Sequence, residues 1–274
     1  MDFSDNKQFA QKNLPNARKS KNMRFDKWWF LVIAVVLLTA GLILFKPDPY
    51  LNIVNFIKNG LWMTVKVTLI SFAIVLAFGL VVALARLSKV KIIKGISTVY
   101  VEIIRGIPIL VQLFIWYFVI PSIIQELGAS WNIQSISNYN ADPQVMAILG
   151  LSFGYSAYMS EVYRAGIQSI SKGQMEAARS LGMTYFQAMR YVILPQAVRV
   201  ILPPVGNEFI TLLKDSSLIS VMGVADLTRR GREFQGRYYI AIEPWIMVAL
   251  IYLIMTLLAT RLVTWMEREF KMEK

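Results

Sequence analysis

Residues 171–195 read Ser171-Lys-Gly-Gln-Met-Glu-Ala-Ala-Arg-Ser-Leu-Gly182-Met-Thr-Tyr-Phe-Gln-Ala-Met-Arg-Tyr-Val-Ile-Leu-Pro195, and the punctuation of this stretch organises the apolar chain on either side of it. Ser171 with Gln174, and Thr184 with Gln187, stand at capping-box spacing, in which a hydroxyl accepts from the third helical amide and the Gln side chain returns to the cap. Gly182 can turn left-handed after a first helix, and Pro195, lacking an amide donor, ends a second. The spacing therefore predicts a hairpin of two short helices. On local physics alone it fits equally well an amphipathic loop that packs on its own helices.

Outward from the hairpin lie long apolar runs, about 145–163 before it and 197–213 after it, with others at 28–45, 61–85, 99–124 and 245–263. Each is close to the roughly 20 residues that a bilayer-spanning helix needs, and 56% of the 274 residues are hydrophobic. A polytopic all-α membrane protein follows, with six spans and both termini on one side. The first run follows a long polar segment and meets no small-residue cleavage site before Lys46-Pro47, so it reads as a retained helix rather than a signal peptide. Lys66, beside Trp62, reads as an interface anchor, and Pro108 fits a first helical turn if the third span begins near Ile107.

Basic residues crowd the tail 1–27, the 86–94 loop, the 164–190 loop and the C-terminal tail, which the positive-inside rule makes cytoplasmic. The 125–144 loop, with Glu126 and Asp142 and no Lys or Arg, fits the opposite side. The segment 214–243 strains this topology, because Arg229, Arg230, Arg232 and Arg237 fall where it expects the outside. Either these arginines form a polar lining or docking surface, the preferred reading, or the stretch 218–227, too short to span as a helix, re-enters and alters the local path.

The chain has no Cys and no His, which removes disulfides, thiolate nucleophiles and the commonest metal ligand and general base. With no paired intramembrane carboxylates either, neither catalytic residues nor a metal site are expected, and an intramembrane enzyme is disfavoured. The net charge of +12 is dispersed in the loops, where membrane topology accounts for it without nucleic acid. No Gly-rich phosphate loop ending in Gly-Lys-Ser or Gly-Lys-Thr occurs, so any ATP is bound by another chain.

Glu176-Ala177-Ala178, then Gly182, then Val192-x-Leu194-Pro195 resemble the hallmark of permease subunits of bacterial ATP-binding-cassette importers, with Val192 where that family usually has Ile. Arg105-Gly-Ile-Pro-Ile-Leu-Val-Gln112 and Leu213-Lys-Asp-Ser-Ser-Leu218 are similar to recurring segments of the polar amino acid branch. The resemblance covers about 60–267. It implies a five-helix type I importer core carrying the hairpin 171–195, flanked by an extra N-terminal transmembrane helix at 28–45 and cytoplasmic tails at 1–27 and 268–274. In such a permease the hairpin docks on the ATPase, which nominates Glu176, Ala177, Ala178 and Gly182 as coupling residues. The implied partners are an ATP-binding-cassette ATPase dimer that binds ATP and Mg, a second permease copy or homologue, an extracytoplasmic amino acid binding protein and membrane lipid. The implied location is the bacterial inner membrane, and the implied cycle is alternating access without ATP hydrolysis in this chain.

An ionisable side chain at mid-membrane costs roughly 2.5 to 3.5 kcal/mol on insertion scales, so such residues usually face a pathway or a partner. Run five places Asn207 and Glu208 near mid-depth, beyond a Pro203-Pro204 pair that makes its helix doubtful. Asn207 and Glu208 are candidates for the substrate pathway, with a polar clamp between helices as the alternative. Lys214 and Asp215 read as a gate or cargo contact, or as an interfacial ion pair. Glu161 completes the pathway candidates, although its i, i+3 spacing to Arg164 favours a structural pair. Arg105 fits a membrane boundary, and Gln112 could bridge neighbouring helices. Glutamine or glutamate is the preferred cargo, with aspartate and basic amino acids open. The alternative mechanism is a secondary transporter driven by protons or ions through Glu208, which leaves the hairpin without a purpose.

Overall fold

The computed structural model describes residues 28–270, and the regular structure among the described residues is entirely helical. The expected tail 1–27 and the last residues of the 268–274 tail lie outside them. α1 (Trp28–Phe45) matches the first apolar run and packs peripherally, with Val32 and Val35 against Leu257 and the rest of its surface largely exposed. α2 (Pro47–Leu87) begins well before the run at 61–85, so Lys66 sits half-buried in mid-helix rather than near an end. α3 (Lys91–Gly106) stops at Ile107-Pro108, and the next span is built from α4 (Ile109–Phe114), a π turn (Ile115–Val119) and α5 (Ile120–Ser130). After the one-turn α6 (Gln134–Ser137) come α7 (Pro143–Gln168), capped by Asp142, and the hairpin helices α8 (Lys172–Ser180) and α9 (Tyr185–Ala188). A second π turn (Met189–Ile193) leads into α10 (Leu194–Asp215), followed by a 3₁₀ turn (Ser216–Met222), α11 (Leu227–Tyr238) and α12 (Glu243–Phe270).

α2 and α7 form the centre of the bundle because their facing surfaces are small. Ser71, Thr64 and Thr68 on α2 and Ser152, Ser156 and Ser160 on α7 are buried, and a Cβ at Gly79 would stand 2.8 Å from Met159. Small residues let helices approach closely where lipid gives no hydrophobic drive between them. Val67, Val75, Leu113, Leu151, Met159, Leu212 and Met222 fill the main core, while Phe78, Tyr100, Trp116 and Phe153 make a ring cluster beside it. Four described helices are long and apolar enough to span on their own: α1, α2, the α4–α5 span and α12. α7 and α10 are less apolar. They carry Glu161, Glu208 and Asp215, as expected of spans that face protein or a wet pathway more than lipid.

The hairpin departs from the sequence expectation in two details. Ser171 accepts from the amide of Gly173 at 3.3 Å, a simple cap, whereas Thr184 and Gln187 form the full reciprocal box at 3.2 and 2.8 Å. Pro195 does not end the second helix: the π turn before it widens the coil, so that a residue without an amide is accommodated and the chain flows on into α10. Pro203 and Pro204 likewise lie inside continuous helix. Gly182 has φ +84 and turns left-handed after α8, and the amide of Met183 reaches back to the Ala178 carbonyl.

The segment 214–243 folds at the end of the bundle opposite the hairpin. Ile219 and Met222 enter the main core, Gly223 at φ +92 reverses the chain, and Asp226 accepts from the amides of Thr228 and Arg229 to start α11. A Cβ at Gly60 of α2 would lie 2.7 Å from the Asp226 carbonyl oxygen, so α11 is seated directly on α2. Glu233 pairs with both Arg229 and Arg230, which offsets part of the arginine excess, while Arg237 lies over the Tyr238 ring.

Candidate transport pathway and coupling hairpin

The break at Ile107-Pro108 leaves carbonyls at the end of α3 without helical amides, and Gln112 answers them. Its Nε2 donates to Ile104 and to Ile107, each at 2.8 Å, while the side chain is buried beside Gly154. An unpaired backbone carbonyl inside a membrane protein costs several kcal/mol, so Gln112 bridges the neighbouring helices α3 and α4 by fastening the corner between them.

That corner sets Arg105 over the ring of Tyr158 on α7, 5.4 Å from its centroid. From α10, Glu208, half-buried, lies within electrostatic reach of Arg105 and Asp215, and Asp215 accepts a 2.6 Å hydrogen bond from Tyr155 on α7. The Asp215–Tyr155 and Arg105–Tyr158 contacts thus lie one turn apart along α7, and Glu208 joins this polar cluster by electrostatic reach alone. It presents groups of both signs: the carboxylate of Glu208 suits an ammonium and the guanidinium of Arg105 suits a carboxylate.

Asn207 and Lys214 face elsewhere. With Thr211 they recur at four and three residues along α10, and all three are exposed. A stripe of Asn, Thr and Lys is poorly suited to acyl chains, so this face belongs against a partner or a wet pathway. Glu161 is engaged by Arg164, three residues along α7, and by Arg86 from the end of α2, which ties these two helices together at the hairpin end. The geometry supports a clamp for Glu161 more than a cargo contact.

Spacing within single helices could not reveal Tyr155 and Tyr158 or promote Arg105, since the cluster depends on which helices meet. The available signal was chemical: a mid-helix Tyr on a span seeks a partner for its hydroxyl.

In the hairpin, Glu176 and Ala177 are exposed, Ala178 is buried within the hairpin itself, and a Cβ at Gly182 would meet nothing within 4 Å. Leu181, Tyr185 and Phe186 project from the tip with 82, 62 and 70% of their surface exposed. An apolar tip of this kind, ringed by Glu176, Arg179 and Gln187, has the character of a docking surface. Asp226, outside the spans, has its carboxyl pushed up to about 6 by burial, against the opposing pull of its amide donors.

Residues 70–272 match the family model described as the binding-protein-dependent transport system inner membrane component. The glutamine transport system permease protein GlnP of Escherichia coli K12 is 37% identical over 213 residues, 78% of this chain and 92% of that protein. The arginine transport system permease protein ArtQ of Bacillus subtilis is 37% identical over 218 residues, covering 80% and 94%. Among solved structures, an amino acid ABC transporter crystallised with histidines aligns at TM-score 0.71 and 41% identity, over 80% of this chain and 96% of that one. Inward-facing MetNI, a methionine ABC transporter, aligns at TM-score 0.60 and 21% identity, a likeness of fold alone.

Proposed function

The chain belongs to the inner membrane components of binding-protein-dependent transport systems, as an amino acid permease of the ATP-binding-cassette importers, and from this premise we propose that it moves a polar amino acid inward under the drive of a separate ATPase. The observation that carries the proposal is the exposed hairpin, with its coupling motif Glu176-Ala177-Ala178 and apolar tip Leu181, Tyr185 and Phe186. Its apolar side chains suit a cleft on an ATPase dimer that binds ATP and Mg, with ATP closure swinging the docked hairpin and so the helices. The hairpin end then faces the cytoplasm, as the positive-inside rule favours, with both termini on that side. α11 lies outside, where Arg232 and Arg237 belong to a face suited to an extracytoplasmic binding protein.

A second copy of the permease, or a homologue, covers the α10 stripe of Asn207, Thr211 and Lys214. The cargo's ammonium pairs with Glu208 and its carboxylate with Arg105, which leaves its side chain to decide specificity. Because one charge of each sign is already matched, the cluster favours a neutral polar side chain, and glutamine is the substrate we favour. The names of GlnP and ArtQ, one for glutamine and one for arginine, bracket this choice. Co-reconstitution with the cognate ATPase and binding protein tests it. Labelled glutamine should accumulate in vesicles only with ATP and be displaced by excess unlabelled glutamine more than by glutamate or arginine. Uptake that proceeds without the ATPase would overturn the reading and favour ion coupling through Glu208.

A further inference from the structure

α3 divides into three faces. Ser97 and Val101 are buried, Val101 with Val82 of α2 and Ala157 of α7, and Tyr100 donates to the Phe153 carbonyl at 2.6 Å. A second stripe, Ile92, Ile96, Val99 and Ile103, repeats at four, three and four residues and is exposed by 73, 69, 53 and 55%. A third, Lys91, Lys94, Thr98, Glu102 and Arg105, repeats at three and four, and Lys89 precedes it. Side chains three and four apart share a helix face, so the apolar stripe runs beside a polar one whose first turn is basic and whose last residue, Arg105, is turned onto Tyr158 of α7.

The chain cannot carry α3 away from the membrane surface. It is tied at one end by residues 88–90 to α2 and at the other by residues 107 and 108 to the α4–α5 span. Tyr100 and Val101 hold its C-terminal half against Phe78 and Val82 of α2 and Phe153 and Ala157 of α7, while its lysine-bearing start follows directly on the hairpin end of α2 at Leu87. A helix tethered between two spans, with an apolar stripe beside a polar one that is basic in its first turn, has the form of an interfacial helix.

We propose that α3 lies in the membrane interface at the hairpin end and binds anionic phospholipid there, with Ile92, Ile96, Val99 and Ile103 among acyl chains and Lys89, Lys91 and Lys94 on the headgroups. The lysines select lipid over a second copy of the chain as occupant. Lys is depleted from protein–protein interface cores, whereas clustered basic residues just beyond a transmembrane helix attract anionic headgroups. The assignment does not depend on which cargo the bundle carries.

The chain's lack of cysteine allows a single-site test on the full-length protein. A bimane label on Ile96→Cys is followed in phosphatidylcholine vesicles doped with acyl-brominated phosphatidylglycerol or, separately, acyl-brominated phosphatidylcholine. Quenching should report enrichment of the anionic lipid by about fivefold or more. It should vanish in the combined Lys89→Gln, Lys91→Gln, Lys94→Gln variant and persist when the same lysines become Arg. If the Gln variant fails to fold, salt at about 1 M, which screens the headgroups, should remove the preference in its place. Equal quenching by both lipids, or a preference untouched by salt, would overturn the proposal. So would absence of quenching together with cross-linking of Ile96→Cys between copies, which would place a second chain on this face.

Discussion

Gln112 shows how one side chain sustains a corner of the bundle. Replacing it with Leu keeps the volume but leaves the Ile104 and Ile107 carbonyls unpaired, and should destabilise the fold by about 1–3 kcal/mol, read as a lowered midpoint of thermal unfolding in detergent. Its bridging role was legible in the sequence, but its partners were not, because they are carbonyls freed by a kink and periodicity carries no record of them. Asp226 makes a second prediction. Burial raises its carboxyl to about 6, so between that value and the ordinary Asp range the folded state holds the proton more tightly than the unfolded one. Stability from this group therefore rises as pH falls through 6 and is lost again as pH rises. Asp226→Asn, which still caps α11, should flatten the dependence, so that the difference in unfolding midpoint between variant and parent is larger at pH 7.5 than at pH 5. An equal difference at both values would contradict it.

Among the elements, the two π turns share one feature: each ends just ahead of a proline, Pro121 in α5 and Pro195 in α10. The widened turn accommodates the proline without stopping the helix, which is why reading Pro195 as a terminator gave the hairpin too sharp an end. Pro195→Ala permits regular α-helix there and, by removing one residue from the wide turn, would rotate the hairpin relative to α10 by about 100°. ATP hydrolysis by the assembled complex should continue while uptake per ATP falls, measured by counting both in one preparation. The start of α8 at Ser171, the left-handed Gly182 and the box at Thr184 were readable because capping is local chemistry. The path of 216–242 was not, since burial of Ile219 and Met222 depends on a core assembled from distant helices.

Across the whole molecule, the positions of the apolar runs and the inward hydrophilicity of α7 and α10 follow from solvent: lipid outside, polar contacts within. The pathway candidates drawn from sequence then separate by helix packing. Glu208 and Asp215 enter the cluster with Arg105, Glu161 clamps α2 to α7, and Asn207 and Lys214 lie on the exposed stripe. If the proposed second permease covers this stripe, Lys214→Leu should weaken assembly with it more than the fold of the single chain, as judged by comparing complex yield with the unfolding midpoint.

The account stands on drive passing from an ATPase through the hairpin, and the most direct test is ATP hydrolysis and amino acid uptake measured together in vesicles holding the permease, its ATPase and its binding protein. Glu176→Arg, on an exposed surface away from the polar cluster, should leave the permease folded and cut uptake at least about tenfold, the loss expected when a charge-reversed docking contact costs 1.4 kcal/mol or more. Uptake that persists undiminished in this variant, or that ignores ATP in the parent, would contradict the account.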